Sequence, residues 1–350
     1  MTNSKISSKY IFGALLSFLV CALPSVICYH TEKALIAYGY LIGGSCLCFV
    51  TFKAVQSSQY RSYVKIIFYL VIILSAIAAV KGIYQYEFLH IDRPKGPFKH
   101  PNVFAEHMEI IIPIVIAAIL SKQNLYIKIA LSGILLLLFG GLIVTLSRGA
   151  WLAVTFSIIV MLIIEKNYKA LLLACVPAGL AAAARYDSVL VRLRSIFDLQ
   201  MQSNAERLYG YYSSFTIIKT NPLTGIGFAH FTDVYPQVAL PEAKEILPHA
   251  HNLVLAYATE AGIVTASAFV VFICLAALYV YTNFSRITNK NHRLLVLGIS
   301  CGVLSLMLHG LVDYTLRRSS ILLVFMFLTG LGLGIVSCYA DDKYNKTIAR

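Results

Sequence analysis

Charge is what this sequence has least of. Only 13% of its 350 residues are Asp, Glu, Lys or Arg, and acidic residues number just 16. An ordinary soluble domain carries roughly 25% charged and 45–50% apolar residues. Here 59% are hydrophobic. These values exclude a soluble globule, a disordered chain, a collagen-like repeat and a small disulfide scaffold. No internal repeat is evident, which speaks against an inverted-repeat transporter. The cysteines carry no pattern either. All eight (Cys21, Cys28, Cys46, Cys48, Cys175, Cys274, Cys301 and Cys338) lie in or beside apolar runs without zinc-ligand spacing, and read as small hydrophobes.

What the chain does have is long apolar runs. They lie near 10–28, 34–54, 65–85, 102–120, 125–146, 148–164, 168–184, 253–282, 293–312 and 319–338. Each reaches at least the lower end of the roughly 17–25 residues that cross a bilayer. The chain is therefore expected to be an all-α polytopic membrane protein. Its organisation reads as an N-terminal transmembrane bundle of about seven helices over 1–184, a large loop over 185–250, and about three further helices with a short tail over 251–350. Lys5 and Lys9 precede the first run, but no small-residue cleavage site follows it, so it reads as an uncleaved anchor.

The net charge of +13 points to membrane lipids as partners and away from nucleic acid. With the N-terminus inside, the short inner connections and tails carry fifteen basic residues against eight outside. Both termini are expected in the cytoplasm. The outward cations run against that bias and gather near helix ends: Arg93, Lys95 and Lys99 before the fourth run, Arg148 before the sixth, Arg207 in the long loop. Such a cluster suits an anionic, lipid-borne ligand such as a pyrophosphate. Head-group snorkelling is the plainer reading of any single one.

Three segments could carry chemistry. Ser147-Arg148-Gly149-Ala150-Trp151-Leu152 forms a short outward turn. Ser147 can cap the following helix, whose free N–H groups face outward beside Arg148, so the turn reads equally as a phosphate seat or as a tight turn with an interfacial Arg. In the long loop, Ser203-Asn204-Ala205-Glu206-Arg207 precedes apolar positions at Leu208, Tyr211, Phe215 and Ile218, predicting an amphipathic helix that stops before Pro222. Arg207 falls in its first turn, where the helix dipole disfavours a cation and a functional role gains weight. The third segment is His249-Ala250-His251-Asn252. Two His with no carboxylate or Cys nearby in sequence make a poor metal site, and none is expected. A His at this mouth is better suited to act as a general base. Glu260, nine positions on, is read more than two turns deeper on the same helix and is a further candidate. Glu106, His107 and Glu109 rank lower.

Together, Ser147–Leu152, Pro222-Leu223-Thr224-Gly225-Ile226-Gly227-Phe228 and His249–Asn252 resemble the O-antigen ligase and polymerase superfamily. Arg148 and Leu152 meet its Arg-x3-Leu pattern. His251, Asn252 and Gly262 meet His-Asn-x9-Gly-x-x-Gly, with Thr265 in place of the second Gly. The resemblance implies a GT-C-type helical bundle of about ten to twelve spans in the bacterial inner membrane, with one large periplasmic loop. It implies an O-antigen ligase: a metal-independent glycosyltransferase without cofactor. The donor would be an undecaprenyl-pyrophosphate-linked glycan and the acceptor a lipid A–core oligosaccharide, joined with inversion. Arg148 and Arg207 would hold pyrophosphate, with Arg93, Lys95 and Lys99 as secondary contacts. His251 would accept the acceptor hydroxyl's proton or orient that hydroxyl for attack, with His249, Asn252 and Glu260 as further site candidates and either His249 or His251 nearer the hydroxyl. A polymerase or protein O-oligosaccharyltransferase shares this chemistry. A lipid-linked glycan flippase is the reading of another class.

Overall fold

A computed structural model describes residues 6–29, 31–166, 190–191, 194–195, 198 and 201–340. These residues form twelve helices and no strand. We number them α1 (Ser8–Cys28), α2 (Glu32–Gln56), α3 (Arg61–Glu87), α4 (Pro101–Leu120), α5 (Leu125–Val144), α6 (Arg148–Glu165), α7 (Gln202–Thr220), α8 (Phe231–Val238), α9 (Leu253–Ala261), α10 (Ile263–Phe284), α11 (Lys290–His309) and α12 (Ser319–Tyr339). Nine of them, α1–α6 and α10–α12, are long and apolar enough to cross a membrane. The protein is thus an all-helical polytopic membrane protein. The expected span at 168–184 lies outside the described residues, as do Arg185 and Arg192 of the long loop.

The chain divides into two compact units. One comprises Met1–Val50, Asp198–Asn283 and Gly310–Phe327; the other comprises Thr51–Phe197, Phe284–His309 and Leu328–Arg350.

The second unit is built around α4, which enters at Pro101 behind the His100 cap and is buried over most of its length. Helix α11 packs closely on it because Gly298 and Gly302 present no side chain there. A Cβ on Gly302 would stand 2.3 Å from the Ile110 carbonyl oxygen, and one on Gly298 2.6 Å from the Ala117 Cβ. This small-xxx-small spacing lets helix backbones meet within a membrane. Ionisable groups lie inside this unit as pairs: His309 Nδ1 is 3.1 Å from Glu109 Oε1, and His107 Nε2 is 2.9 Å from Ser75 Oγ.

In the first unit, one expectation fails. The apolar run 253–282 is two helices, α9 and α10, broken at Gly262. Gly262 has φ +90°, and a Cβ there would lie 2.0 Å from the Leu223 carbonyl oxygen. The neighbouring Ile263 N–H donates to the Pro222 carbonyl at 2.8 Å. Backbone meets backbone where only glycine fits. Hydropathy continues across this point, so the break leaves no trace in it. Glu260 consequently sits on the short helix α9, outside the span.

The turn Pro222–Phe228 closes the end of α9. Ile226 N–H and Gly227 N–H donate to the Thr259 and Glu260 carbonyls at 2.9 and 3.0 Å. Helix α1 supports the same corner: Ser25 Oγ donates to the Glu260 carbonyl at 2.7 Å, and the Tyr29 hydroxyl to that of Gly225 at 2.8 Å. Thr265 is fully buried and its hydroxyl lies 2.8 Å from both the Cys21 and Ala261 carbonyls. The threonine thus ties α10 to α1.

Candidate functional site

A helix does occupy the expected stretch as α7 and ends before Pro222, but it differs from the expected one in two ways. It begins at Gln202 after the N-cap Met201, so Arg207 lies in the second turn, beyond the reach of the end-of-helix argument. It also packs through its small and polar face, Glu206, Gly210, Ser213, Ser214 and Ile217. Leu208, Tyr212 and Phe215 stay exposed. A Cβ on Gly210 would already crowd Leu247 Cδ1 at 2.8 Å, which explains how close the packed face comes. What singles out Arg207 is different: it makes no hydrogen bond or ion pair among the described residues, although it is half-buried.

Tyr211, one turn beyond Arg207, links α7 to the His segment. Its hydroxyl lies 3.2 Å from both the His251 and Leu311 carbonyls. Burial pushes the phenol above its ordinary range; Arg207 pulls it down and Asp313 pushes it up, so both charges act on one oxygen.

Asn252 builds the other half of the frame. Its carboxamide oxygen caps α9 by accepting from the Val254 and Leu255 N–H groups at 3.0 Å each, and its nitrogen donates to the Leu311 carbonyl at 3.0 Å. An Asn cap of this kind fixes where a helix begins. The Leu253 N–H meets the Gly310 carbonyl at 2.6 Å. The His segment and the 310–318 connection are thereby held together.

That connection supplies a carboxylate the sequence reading did not find. Asp313 Oδ1 lies 3.4 Å from His251 Nδ1 and 3.7 Å from His249 Nε2, with the Asp side chain only 5% exposed. It also accepts the Tyr314 N–H at 2.8 Å. His251 has φ +48°, a left-handed conformation unusual for a side-chain-bearing residue. Its Nδ1 is buried and meets no hydrogen-bond geometry. The two imidazoles lie 4.2 Å apart, and the His251 N–H donates to His249 Nδ1 at 3.2 Å. The expectation that no carboxylate stands near these His holds in sequence and fails in space.

Glu260 is 3% exposed and accepts a hydrogen bond from the Ala229 backbone. Burial pushes its carboxyl up to about 7, against the opposing pull of that bond and of Arg317. Arg317 also acts on Tyr314, whose phenol burial holds well above its usual range.

The remaining candidates belong to the second unit. Arg148 opens α6 and is buried; its Nη1 donates to the Ser195 carbonyl and, at 2.9 Å, to the Ser195 hydroxyl. Ser147 occupies the N-cap without a side-chain cap bond. The Trp151 indole donates to the Leu142 carbonyl at 3.2 Å. Arg93 spans the Thr145 carbonyl and the Asn102 side chain, 3.0 Å from each, bracing the turn before α6. Lys95 and Lys99 are exposed.

The fold defines a polytopic helical membrane protein, and the first unit carries a His–His–Asp cluster whose Asp313 acts on the Tyr211 phenol together with Arg207. Residues 133–270 match the family model described as O-antigen ligase, consistent with the O-antigen ligase superfamily. The matched stretch includes Arg148, Arg207, His249, His251 and Glu260; Asp313 and Arg317 lie beyond it. No curated protein matches the chain.

Proposed function

We propose that the chain is an O-antigen ligase: a glycosyltransferase moving a glycan from undecaprenyl pyrophosphate to a lipid A–core oligosaccharide, at the periplasmic face of the bacterial inner membrane. Both termini lie in the cytoplasm in this reading. The observation that carries it is the approach of His251 Nδ1 to Asp313 Oδ1 at 3.4 Å. A carboxylate on Nδ1 favours the tautomer with its proton there and leaves Nε2 free to accept one.

In the reaction, His251 Nε2 takes the proton of an acceptor hydroxyl as that oxygen attacks the anomeric carbon. The bond to the pyrophosphate oxygen breaks on the opposite face, which inverts the configuration. Negative charge grows on the departing pyrophosphate, and Arg207, unpaired in the first unit, is suited to neutralise it. In the second unit, Arg148 is a pyrophosphate candidate by its motif alone. Leaving-group stabilisation by guanidinium groups requires no metal in that role, and the donor bond itself supplies the driving force.

Purified protein, a carrier-linked oligosaccharide and separately offered acceptors test the assignment, with products weighed by mass spectrometry. Transfer to lipid A–core supports a ligase. Extension of the carrier-linked glycan marks a polymerase, and modification of a polypeptide marks a protein O-oligosaccharyltransferase. A flippase forms no covalent product.

A further inference from the structure

We propose that His249, His251 and Asp313 form a binding site for one divalent transition-metal ion of the zinc class, and that filling it silences His251 as a base. The first half stands on the geometry alone; the second rests on the function proposed above.

Two imidazoles and one carboxylate are a donor set suited to zinc and its neighbours. Ligand atoms at 2.0–2.2 Å from a tetrahedral ion lie about 3.4 Å from one another. Asp313 Oδ1 already stands 3.4 and 3.7 Å from the two His nitrogens, and each of the three residues offers an atom within 4.8 Å of the others. Closing the His–His edge from within 4.8 Å to about 3.4 Å completes three corners of a tetrahedron. The fourth is left for water or substrate. His251 Nδ1, buried and without hydrogen-bond geometry, is the atom such an ion would satisfy.

The surroundings hold the ligands in place. Asp313 Oδ1 is braced by the Tyr314 N–H, and the Tyr211 hydroxyl and Asn252 lock the connection bearing Asp313 to the turn bearing His251. Such outer contacts orient ligating groups. Both imidazoles remain partly exposed, so an ion has a route in. Arg207, which shares the surroundings of Tyr211 with Asp313, opposes a cation and makes this site weaker than a closed structural one.

Protons follow from the coordination. His249 Nδ1 accepts the His251 N–H, which leaves the neutral ring's proton on Nε2. Coordination through Nε2 shifts that proton to Nδ1 and gives up the 3.2 Å bond. In His251, an ion on Nδ1 displaces the proton to Nε2. That nitrogen becomes a donor and no longer accepts a proton from the substrate.

The test uses full-length protein in detergent, stripped with chelator and titrated with zinc or cobalt(II) alone. Calorimetry should show one ion per chain, with binding weakened about tenfold or more in both His249→Ala and Asp313→Asn. His90→Ala, an exposed histidine, should change nothing. X-ray absorption on zinc-loaded wild-type protein should show imidazole scattering, a readout that needs no variant to fold. Absence of stoichiometric binding, affinity unchanged in both variants, or a zinc shell without imidazole overturns the site. In the transfer assay, zinc should stop turnover and chelator restore it. Zinc bound at these residues with turnover unaffected overturns the second half and the base assignment with it. A chain that binds no zinc yet loses transfer in His251→Ala overturns the metal site and leaves the ligase reading standing.

Discussion

His251 Nδ1 and Asp313 Oδ1 lie 3.4 Å apart although two membrane-span candidates, α10 and α11, separate them in the chain. Asp313→Asn keeps the shape of this pair and removes its charge, so the imidazole loses its preferred tautomer. Transfer by Asp313→Asn should fall substantially, within the roughly 10²–10⁴ range of general acid–base contributions. Initial rates of the purified variant check this. A rate equal to wild type would show that Asp313 does not position the base.

Arg207 should behave differently. Removing a group that stabilises departing charge costs about 10²–10³ in rate. Arg207→Ala should show that loss, and Arg207→Lys should recover it only in part because an ammonium cannot grip diphosphate bidentately. Comparing kcat/KM for the two variants against wild type tests the prediction. Full recovery by Lys would reduce the role of Arg207 to a simple positive charge.

The corner at Gly262 makes a prediction about folding. Gly262→Ala drives a methyl group into the Leu223 carbonyl and strains a backbone at φ +90°. A loss of several kcal/mol is expected, beyond the roughly 1–3 kcal/mol usual for forced packing. Gly13→Ala, with nothing within 4 Å, should be neutral. Thermal unfolding of the two proteins in detergent separates them.

Glu260 gives a pH dependence of defined sign. Its folded pKa, pushed up to about 7, exceeds the ordinary carboxylate value. The folded chain therefore holds a proton that the unfolded chain has already lost. Stability is full below about pH 4.5 and declines as pH rises toward 7. At 1.36 kcal/mol per pK unit, the loss is at most about 3 kcal/mol. Glu260→Gln should flatten this part of the curve of melting temperature against pH. An unchanged slope would mean that Glu260 is ionised throughout.

The spans were legible because a bilayer demands long apolar runs, and α1–α6 and α10–α12 all follow them. Within the candidate cluster, the His segment was legible because its motif marks His249, His251 and Asn252, which the fold ties to the 310–318 connection. Asp313 was not, because nothing local marks it: one acid just past the end of an apolar run looks like a boundary residue. Its scarcity, as one of 16 acidic residues, was the available signal. Gly262 was named for its motif, yet its break was hidden because α9 and α10 are both apolar. The packed face of α7 was misread because small and polar residues, which carry no hydrophobic signal, make its closest contacts.

In the proposed glycan transfer, His251 accepts the proton of the acceptor hydroxyl. Purified wild-type protein and His251→Ala, matched for folding by their melting curves, should be given the same carrier-linked oligosaccharide and lipid A–core acceptor. Mass analysis should show the joined product with wild-type protein and roughly 10²–10⁴ less of it with His251→Ala. Equal product from the two proteins would contradict the claim.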